Sequence, residues 1–229
     1  MQRYIYIMIS RTPTMFGSAI RKIAKQTYNH ASVATDENME HTYAFARYKH
    51  STPLLGGLVR ETLDRFTLRK EEKVPVIVYK IPATEEQYKF INTRIEEMMK
   101  KKKKFIYNLL SVITYPLLHG FSTKNAYTCI EFAAYVLKYL GFLQDKPACK
   151  YKPDDLLIEL KDYQYKKCDI RECITYNPPQ SKYFEKATKF EILKSVQRVF
   201  KLFGRVFKGK SARACNINYF QSIFHSKIK

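Results

Sequence analysis

The chain has 229 residues, of which 45% are hydrophobic and 14% aromatic. These values exclude a disordered polypeptide and allow one sizeable hydrophobic core with an appendage, or at most two small domains. The formal net charge is +20. A surplus of this size favours polyanions, anionic lipid or an acidic substrate as partners, but it says nothing about the fold.

Five cysteines occur without the paired spacing of a zinc site, so the sequence predicts reduced thiols, no metal and no cofactor. Reduced thiols are typical of the cytoplasm, which is the predicted location, and peripheral membrane attachment is the alternative. The apolar run at residues 4–9 lacks a cleavage site and does not predict a signal peptide. The apolar stretch 105–118 is shorter than the roughly 20 residues of a bilayer span, and therefore indicates core or pocket lining.

Hydrophobic periodicity predicts the secondary structure in chain order. The predicted elements are a strand at 4–10, a helix from Phe16 to about Gln26, a hairpin of strands 30–35 and 42–47, a strand at 74–81, a helix capped by Thr84 and Gln87, a helix that starts at Cys129, a helix at 153–160, and one or two strands within 163–176. Residues 51–57 are predicted as a loop because they contain Gly56 and Gly57. Because strands and helices are largely segregated along the chain, this order predicts an α+β fold.

The C-terminal residues 181–229 differ from the rest and predict a basic tail after a domain at residues 1–180. They carry 12 Lys or Arg and 2 Glu, a net charge of +10. At helical spacing, apolar residues form a stripe on one face and basic residues lie on the opposite face. The apolar stripe is Ile192, Val196, Val199, Phe203 and Val206, and the basic residues are Lys194, Arg198, Lys201, Arg205 and Lys208. This amphipathic helix could pack its stripe on the domain, lie on an anionic membrane or bind nucleic acid.

Cys129 is the candidate nucleophile. Thr128 and Glu131 form an S/T-x-x-E capping box, which predicts Thr128 as the N-cap and Cys129 as the first helical residue. Unpaired backbone N–H groups and the positive end of the helix dipole then face the sulfur. That environment favours the thiolate, which is the nucleophilic form of cysteine. In this interpretation Glu131 is a capping group.

A cysteine nucleophile needs a base, and His30 is the best placed of the five histidines because it starts a predicted strand. The base precedes the nucleophile in the chain, the reverse of the order in papain. The other histidines and the cysteines Cys149, Cys168, Cys173 and Cys215 are predicted to be structural or exposed.

Three motifs occur in an order that resembles a known family. They are Asn29-His30-Ala31-Ser32-Val33, then Tyr43-Ala44-Phe45-Ala46-Arg47 followed by Gly56-Gly57-Leu58-Val59, and then Cys129-Ile130-Glu131-Phe132-Ala133-Ala134-Tyr135-Val136-Leu137. The pattern resembles the circularly permuted papain-like branch of the NlpC-type superfamily, related to lecithin retinol acyltransferase. The likeness covers residues 4 to 175. It implies a permuted papain-like fold, in which an antiparallel sheet packs against helices that include the nucleophile helix.

The resemblance implies Cys129 as nucleophile and His30 as general base in a cysteine hydrolase that acts on amides or esters of cell-wall peptides or acyl lipids. The family's third polar residue lies on the strand after the histidine strand. A hairpin turn around Glu37 and Asn38 would place His30 opposite Phe45 and diagonal to Tyr43, which makes Tyr43 the predicted orienting residue. The alternatives are an acyltransferase with the same dyad, or a catalytically degenerate binding protein whose basic tail attaches to nucleic acid or anionic membrane.

Overall fold

The computed structural model describes residues 2–14, 18, 26–52, 54–178 and 182–207. The strands of the described residues are β1 (Arg3–Ser10), β2 (His30–Ala34), β3 (Thr42–Arg47), β4 (Gly56–Arg60), β5 (Pro75–Ala83), β6 (Ile106–Tyr107), β7 (Ala126–Tyr127) and β8 (Gln164–Asp169). The α-helices are α1 (Leu63–Thr67), α2 (Glu85–Lys100), α3 (Leu109–Ile113), α4 (Tyr115–Leu118), α5 (Cys129–Tyr139), α6 (Pro153–Glu159) and α7 (Lys189–Phe207).

Six strands form one antiparallel sheet in the spatial order β4-β3-β2-β1-β5-β8, and β6 pairs with β7 in a small parallel sheet. The predicted α+β class is confirmed. Strand β1 lies between β2 and β5, and its last six residues are all buried. A strand covered on both faces needs apolar residues at consecutive positions, which explains the unbroken run from Ile5 to Ile9.

The two faces of the sheet have separate hydrophobic cores. On one face Ile5, Ile7 and Ile9 of β1 pack in a core that also contains Ile91 of α2 and Phe132 of α5. On the other face Tyr6 and Met8 pack in a core that contains Phe66 of α1 and Ile170, which follows β8. The alternation of side chains along a strand therefore decides which core each residue of the sheet meets.

Strand β4 and helix α1 were not predicted. The Gly56-Gly57 pair predicts a loop, but both glycines lie in β4. A Cβ atom on Gly56 would lie 2.6 Å from the Ala46 carbonyl oxygen and 2.8 Å from Tyr107 Cβ, so the strand needs glycine where β3 and β6 approach it. Within 163–176 the described strand is β8, at the edge of the sheet beside β5. The helix predicted from Phe16 falls on positions that lie outside the described residues, apart from Ser18 and Gln26.

Residues 182–207 of the C-terminal segment pack against the rest of the molecule. The Tyr183 carbonyl accepts the backbone N–H of His50 at 2.7 Å. Further along, Leu202 of α7 is buried beside Ile106 and Ala126, and the Arg198 guanidinium donates to the Gly56 carbonyl at 3.3 Å. The domain boundary predicted at residue 180 falls outside the described ranges.

Of the three alternatives for the C-terminal helix, packing of its whole apolar stripe on the domain is wrong. Ile192, Val196 and Phe203 of that stripe are exposed. The face of α7 that contacts the domain instead carries the buried Ser195 and Leu202. One leucine and one serine thus face the domain, and most of the other apolar side chains of α7 are exposed.

Candidate active site

The nucleophile helix begins as the capping box predicts. The Thr128 hydroxyl accepts the Glu131 N–H at 3.0 Å, and the Glu131 carboxylate accepts the Thr128 N–H at 3.3 Å. Glu131 is buried and also accepts the Ser122 hydroxyl. Cys129 is consequently the first residue of α5, with its side chain buried at the helix N-terminus.

His30 is the first residue of β2 and pairs with Ser10 of β1. The preceding Asn29 accepts the Thr12 N–H at 2.9 Å and donates to the Thr12 hydroxyl at 2.8 Å, which fixes the chain where β2 begins. Cys129 and His30 are far apart in sequence, but the structure brings their side chains to one cavity, where each shifts the pKa of the other. Two of the three predicted site residues therefore meet.

The sulfur of Cys129 lies where β2 and β3 separate. Their ladder ends at the pair Val33–Tyr43. Beyond that end, the backbone N–H of Ala31 and the N–H of Ile130 in α5 help to lower the pKa of the Cys129 thiol. Backbone donors from a strand and from a helix terminus thus converge on one thiol, and such donors stabilise negative charge.

Glu61 is the third group of the site. It follows β4 directly, and only 3% of its side chain is exposed. Its Oε1 atom lies 2.8 Å from His30 Nε2, and its Oε2 atom accepts Arg65 Nε at 2.8 Å. The Ser32 hydroxyl also lies 3.2 Å from His30 Nε2. With Nε2 engaged in this way, Nδ1 is the ring nitrogen left for the sulfur.

The prediction that Tyr43 orients His30 was wrong, because the hairpin register differs by one residue from the expected one. Tyr43 pairs with Val33, so alternation places Tyr43 and His30 on opposite faces of the sheet. Tyr43 packs against the core that contains α2 and α5. The His30 ring instead contacts Phe66, which belongs to the core of the other face, at a centroid distance of 5.8 Å.

Sequence reasoning missed Glu61 and Arg65. Their spacing of four residues was visible, but an i,i+4 pair of opposite charge is ordinarily a solvated pair on a helix surface. What distinguishes this pair is burial, since only 3% of the Glu61 side chain and 9% of the Arg65 side chain are exposed. Burial of Glu61 follows from β4, which the sequence did not predict.

Cys129, His30, Glu61 and Arg65 lie in a row, and the charges that their pKa values favour alternate along it. Burial opposes ionisation of Glu61, but Arg65 and His30 outweigh it and lower the pKa of Glu61 to about 2. Burial also opposes protonation of His30, but Cys129 and Glu61 raise the pKa of His30 to about 10. For Cys129, His30 and the N–H groups of Ala31 and Ile130 outweigh burial and lower the pKa of the thiol. These shifts favour a negatively charged sulfur beside a positively charged imidazole, followed by a carboxylate and a guanidinium.

A small cavity of about 70 Å³ lies at this site. Its lining contains Cys129, His30, Glu61 and Arg65, together with Tyr107 of β6 and Tyr183 of the C-terminal segment. Burial, with the nearby Cys129, raises the pKa of Tyr107, so its hydroxyl stays protonated and can donate. The Arg65 guanidinium lies 4.4 Å from the centre of the Tyr183 ring. Tyr183 therefore covers one side of the candidate site.

The remaining described histidines and cysteines lie elsewhere. His41 is exposed and pairs with Asp36 at 3.3 Å, and His50 packs against Tyr183 and Phe184. Burial and a hydrogen bond with Cys168 raise the pKa of Cys173 to about 12, the opposite of the shift at Cys129. Cys215 and His225 lie outside the described residues.

In the described part of the chain, no group of three or more His, Cys, Asp and Glu is arranged to hold a metal ion.

Comparisons of the chain with protein-family models, curated proteins and solved structures gave no match. Among the described residues, none of the helices combines the length and the apolar composition that a bilayer span requires.

Proposed function

We propose that the protein is a cysteine-dependent hydrolase that cleaves an amide or ester through an acyl-enzyme on Cys129. The observation that carries this proposal is that Cys129 and His30 line one small cavity, with Glu61 Oε1 2.8 Å from His30 Nε2. A nucleophile joined to a base that a third group orients is the arrangement that activates a thiol. Because all three groups are buried and paired, they are held in place before a substrate binds.

In the first half of the reaction the Cys129 thiolate attacks the carbonyl carbon, a C–S bond forms, and the carbonyl electron pair moves to oxygen. When the tetrahedral intermediate collapses, the bond to the leaving amine or alcohol breaks. The leaving group takes a proton from the His30 imidazolium, which acts as general acid. Glu61 remains a carboxylate throughout and keeps the ring oriented.

In the second half the acylated sulfur no longer carries a negative charge. The pKa of His30 therefore falls from the raised value that the thiolate supports, and the neutral ring can take a proton from water. Hydroxide adds to the thioester carbonyl, the C–S bond breaks, and the thiolate and imidazolium return. One pair of residues thus serves as acid and then as base.

The oxyanion of the intermediate needs donors beside the sulfur. The backbone N–H of Cys129 is one, because the first N–H groups of a helix have no partner within the helix. The Tyr107 hydroxyl is the second that we propose, since Tyr107 lines the same cavity and keeps its proton. A donor in a small buried cavity stabilises charge more strongly than one in water.

We further propose that the α+β fold is the circularly permuted papain-like one. Three features support it: the histidine strand precedes the nucleophile helix in the chain, the sheet is antiparallel, and α5 packs against that sheet. The third polar group departs from the family pattern, because Glu61 follows β4 and not the strand next to the histidine strand.

The proposed substrates are the amides or esters of cell-wall peptides or acyl lipids. The cavity of about 70 Å³ is far smaller than the several hundred cubic ångströms of a typical ligand pocket. It would therefore admit only the reacting carbonyl and a short stretch on either side of it. An acyltransferase with the same dyad would form the same acyl-enzyme and differ only in whether water or another nucleophile accepts the acyl group.

Trapping of an acyl-enzyme with an activated ester tests the proposal. Incubation with p-nitrophenyl acetate should add one acetyl group to Cys129, which mass spectrometry of the digested protein would locate. Cys129→Ala should abolish the adduct, whereas Cys149→Ala, which removes another buried thiol, should leave it unchanged. A wild-type protein that gains no acetyl group at Cys129 and releases p-nitrophenol no faster than Cys129→Ala would support the degenerate binding protein instead.

A further inference from the structure

Helix α7 presents an apolar face to solvent. Its exposed apolar side chains are Phe190 (63% exposed), Ile192 (51%), Leu193 (56%), Val196 (39%), Phe200 (70%) and Phe203 (40%). Leu193, Val196, Phe200 and Phe203 follow one another at intervals of three or four residues, so they form one continuous stripe. We call these four residues the α7 stripe. A contiguous apolar patch of this kind marks a binding surface, unlike scattered single residues.

The opposite face of α7 fixes the direction in which the α7 stripe points. Ser195 and Leu202 are buried against the domain, and Arg198 donates to the Gly56 carbonyl. The helix begins with a capping box, in which Thr188 and Glu191 exchange hydrogen bonds of 2.8 and 3.2 Å. Because the helix is anchored at its start and along one face, its stripe is held outward.

Charge is distributed unequally around this helix. Both acidic residues of the described C-terminal segment, Glu185 and Glu191, pair with Lys49 of the domain. Lys194 and Lys201 are exposed, and neither forms an ion pair with a described residue. The positive charge of the segment thus faces solvent beside the α7 stripe, while its negative charge is neutralised against the domain.

A second basic segment lies next to α7. The Tyr48 hydroxyl donates to the Lys102 carbonyl at 3.4 Å, and the Arg198 guanidinium lies 5.6 Å from the centre of the Tyr48 ring. Lys102 belongs to the exposed run of lysines at 100–104. Tyr48 therefore connects this run to the base of α7, which places further lysines near the helix.

We propose that α7 docks the protein on the surface of an anionic bilayer, with the α7 stripe in the interfacial region and the neighbouring lysines on the lipid headgroups. An amphipathic helix with aromatic and aliphatic residues on one side and lysines beside them binds membranes in this way. At 1.5 Å per residue, the 19 residues of α7 would lie along roughly 28 Å of the surface.

The net positive charge of the chain favours an anionic bilayer over a second copy of the chain as the partner that covers the α7 stripe. Two copies that each carry +20 repel one another, whereas an anionic leaflet attracts them. Nucleic acid would use the lysines but would leave the α7 stripe in water. The proposal does not depend on the proposed hydrolase activity.

Vesicle sedimentation with the full chain tests the proposal. Wild type should pellet with vesicles of phosphatidylcholine that contain about one third phosphatidylserine, and less with phosphatidylcholine alone, because anionic lipid attracts basic segments. Replacement of two stripe residues, Leu193→Ser with Phe200→Ser, should weaken binding by a factor on the order of ten or more. Ile158→Ser removes an equally exposed apolar residue from α6 and should bind as wild type does.

A second variant tests the charges. Lys194→Gln with Lys201→Gln should weaken binding to the anionic vesicles by about fivefold per lysine and leave the weak binding to neutral vesicles unchanged. Alkylation of Cys129 should be the same in all of these variants, which shows that they fold. The proposal is overturned by wild type that stays in the supernatant at low salt, by stripe variants that pellet like wild type, or by a wild-type dimer that the stripe substitutions dissociate.

Discussion

Glu61 Oε1 lies 2.8 Å from His30 Nε2, although β3 separates β2, which carries His30, from β4, which Glu61 follows. The two side chains meet over the face of the sheet that Phe66 also covers. Glu61 in turn accepts a hydrogen bond from Arg65, and the Arg65 guanidinium lies against the Tyr183 ring. A chain of contacts therefore runs from the C-terminal segment to the ring that faces the Cys129 sulfur.

Glu61→Gln should destabilise the protein strongly. The amide keeps the shape of the side chain but leaves Arg65 without its buried counter-charge, and leaves His30 with that of Cys129 alone. Breaking a buried ion pair from one side costs about 3 kcal/mol or more of the free energy of unfolding. Urea unfolding at neutral pH measures this change. Glu85→Gln makes the same substitution in an exposed pair with Arg3 and should have little effect; equal effects from the two variants would contradict the assigned role of Glu61.

Acid should remove the same contribution. Because the folded-state pKa of Glu61 is lowered to about 2, below the ordinary 4.5, its contribution to stability is present above pH 4.5 and is lost as the pH falls toward 2. About 3 kcal/mol is at stake over that range. The difference in unfolding free energy between wild type and Glu61→Gln should therefore shrink between pH 6 and pH 3. A difference that stays constant over this range would show that Glu61 is not ionised at low pH.

Gly56→Ala should destabilise the fold, because the added methyl group would meet the Ala46 carbonyl and Tyr107 Cβ below 3.0 Å. Such overpacking costs about 1–3 kcal/mol. Gly204→Ala in α7 is the matched control, since nothing lies within 4 Å of the added atom. That variant should gain about 1 kcal/mol from helix propensity. Thermal unfolding of both variants would show opposite shifts, and shifts of the same sign would disprove the close approach at Gly56.

Tyr107→Phe tests the proposed oxyanion donor separately from the activation of the Cys129 thiol. Loss of one oxyanion donor should slow p-nitrophenyl ester hydrolysis on the order of a hundredfold. The alkylation rate of Cys129 should change little, since alkylation forms no oxyanion. Tyr115→Phe, which removes a phenol outside the cavity lining, should leave both rates near the wild-type values. If Tyr107→Phe hydrolyses the ester as fast as wild type, the hydroxyl is not a donor.

Local signals predicted much of the fold. Both capping boxes that the sequence indicated, at Thr84 and at Thr128, are present, and the hairpin of β2 and β3 is antiparallel as expected. These features depend on residues a few positions apart, so their chemistry is visible in the sequence. The same signal at Thr188 and Glu191 marks the start of α7 and could have been found.

Contacts between residues that are far apart in the sequence were harder to predict. A shift of one residue in a hairpin moves every side chain to the other face, and this removed Tyr43 as the partner of His30. Glu61 was missed because it follows β4, which the sequence did not predict. The register depends on how the turn at residues 35–41 closes, which the turn residues did not determine. The exposed stripe of α7 was likewise hidden, because periodicity reveals an apolar face but not what covers it.

The most direct test of the central claim, that Cys129 is an ionised thiol held by His30, is residue-resolved alkylation by iodoacetamide at pH 6. Cys129 should react faster than Cys149, Cys168 and Cys173, because the pKa of Cys129 is lowered whereas burial raises that of Cys173. Replacement of the partner, His30→Gln, should remove this advantage and move the reaction to alkaline pH. A Cys129 that reacts no faster than the other thiols, or reacts equally fast without His30, would contradict the account.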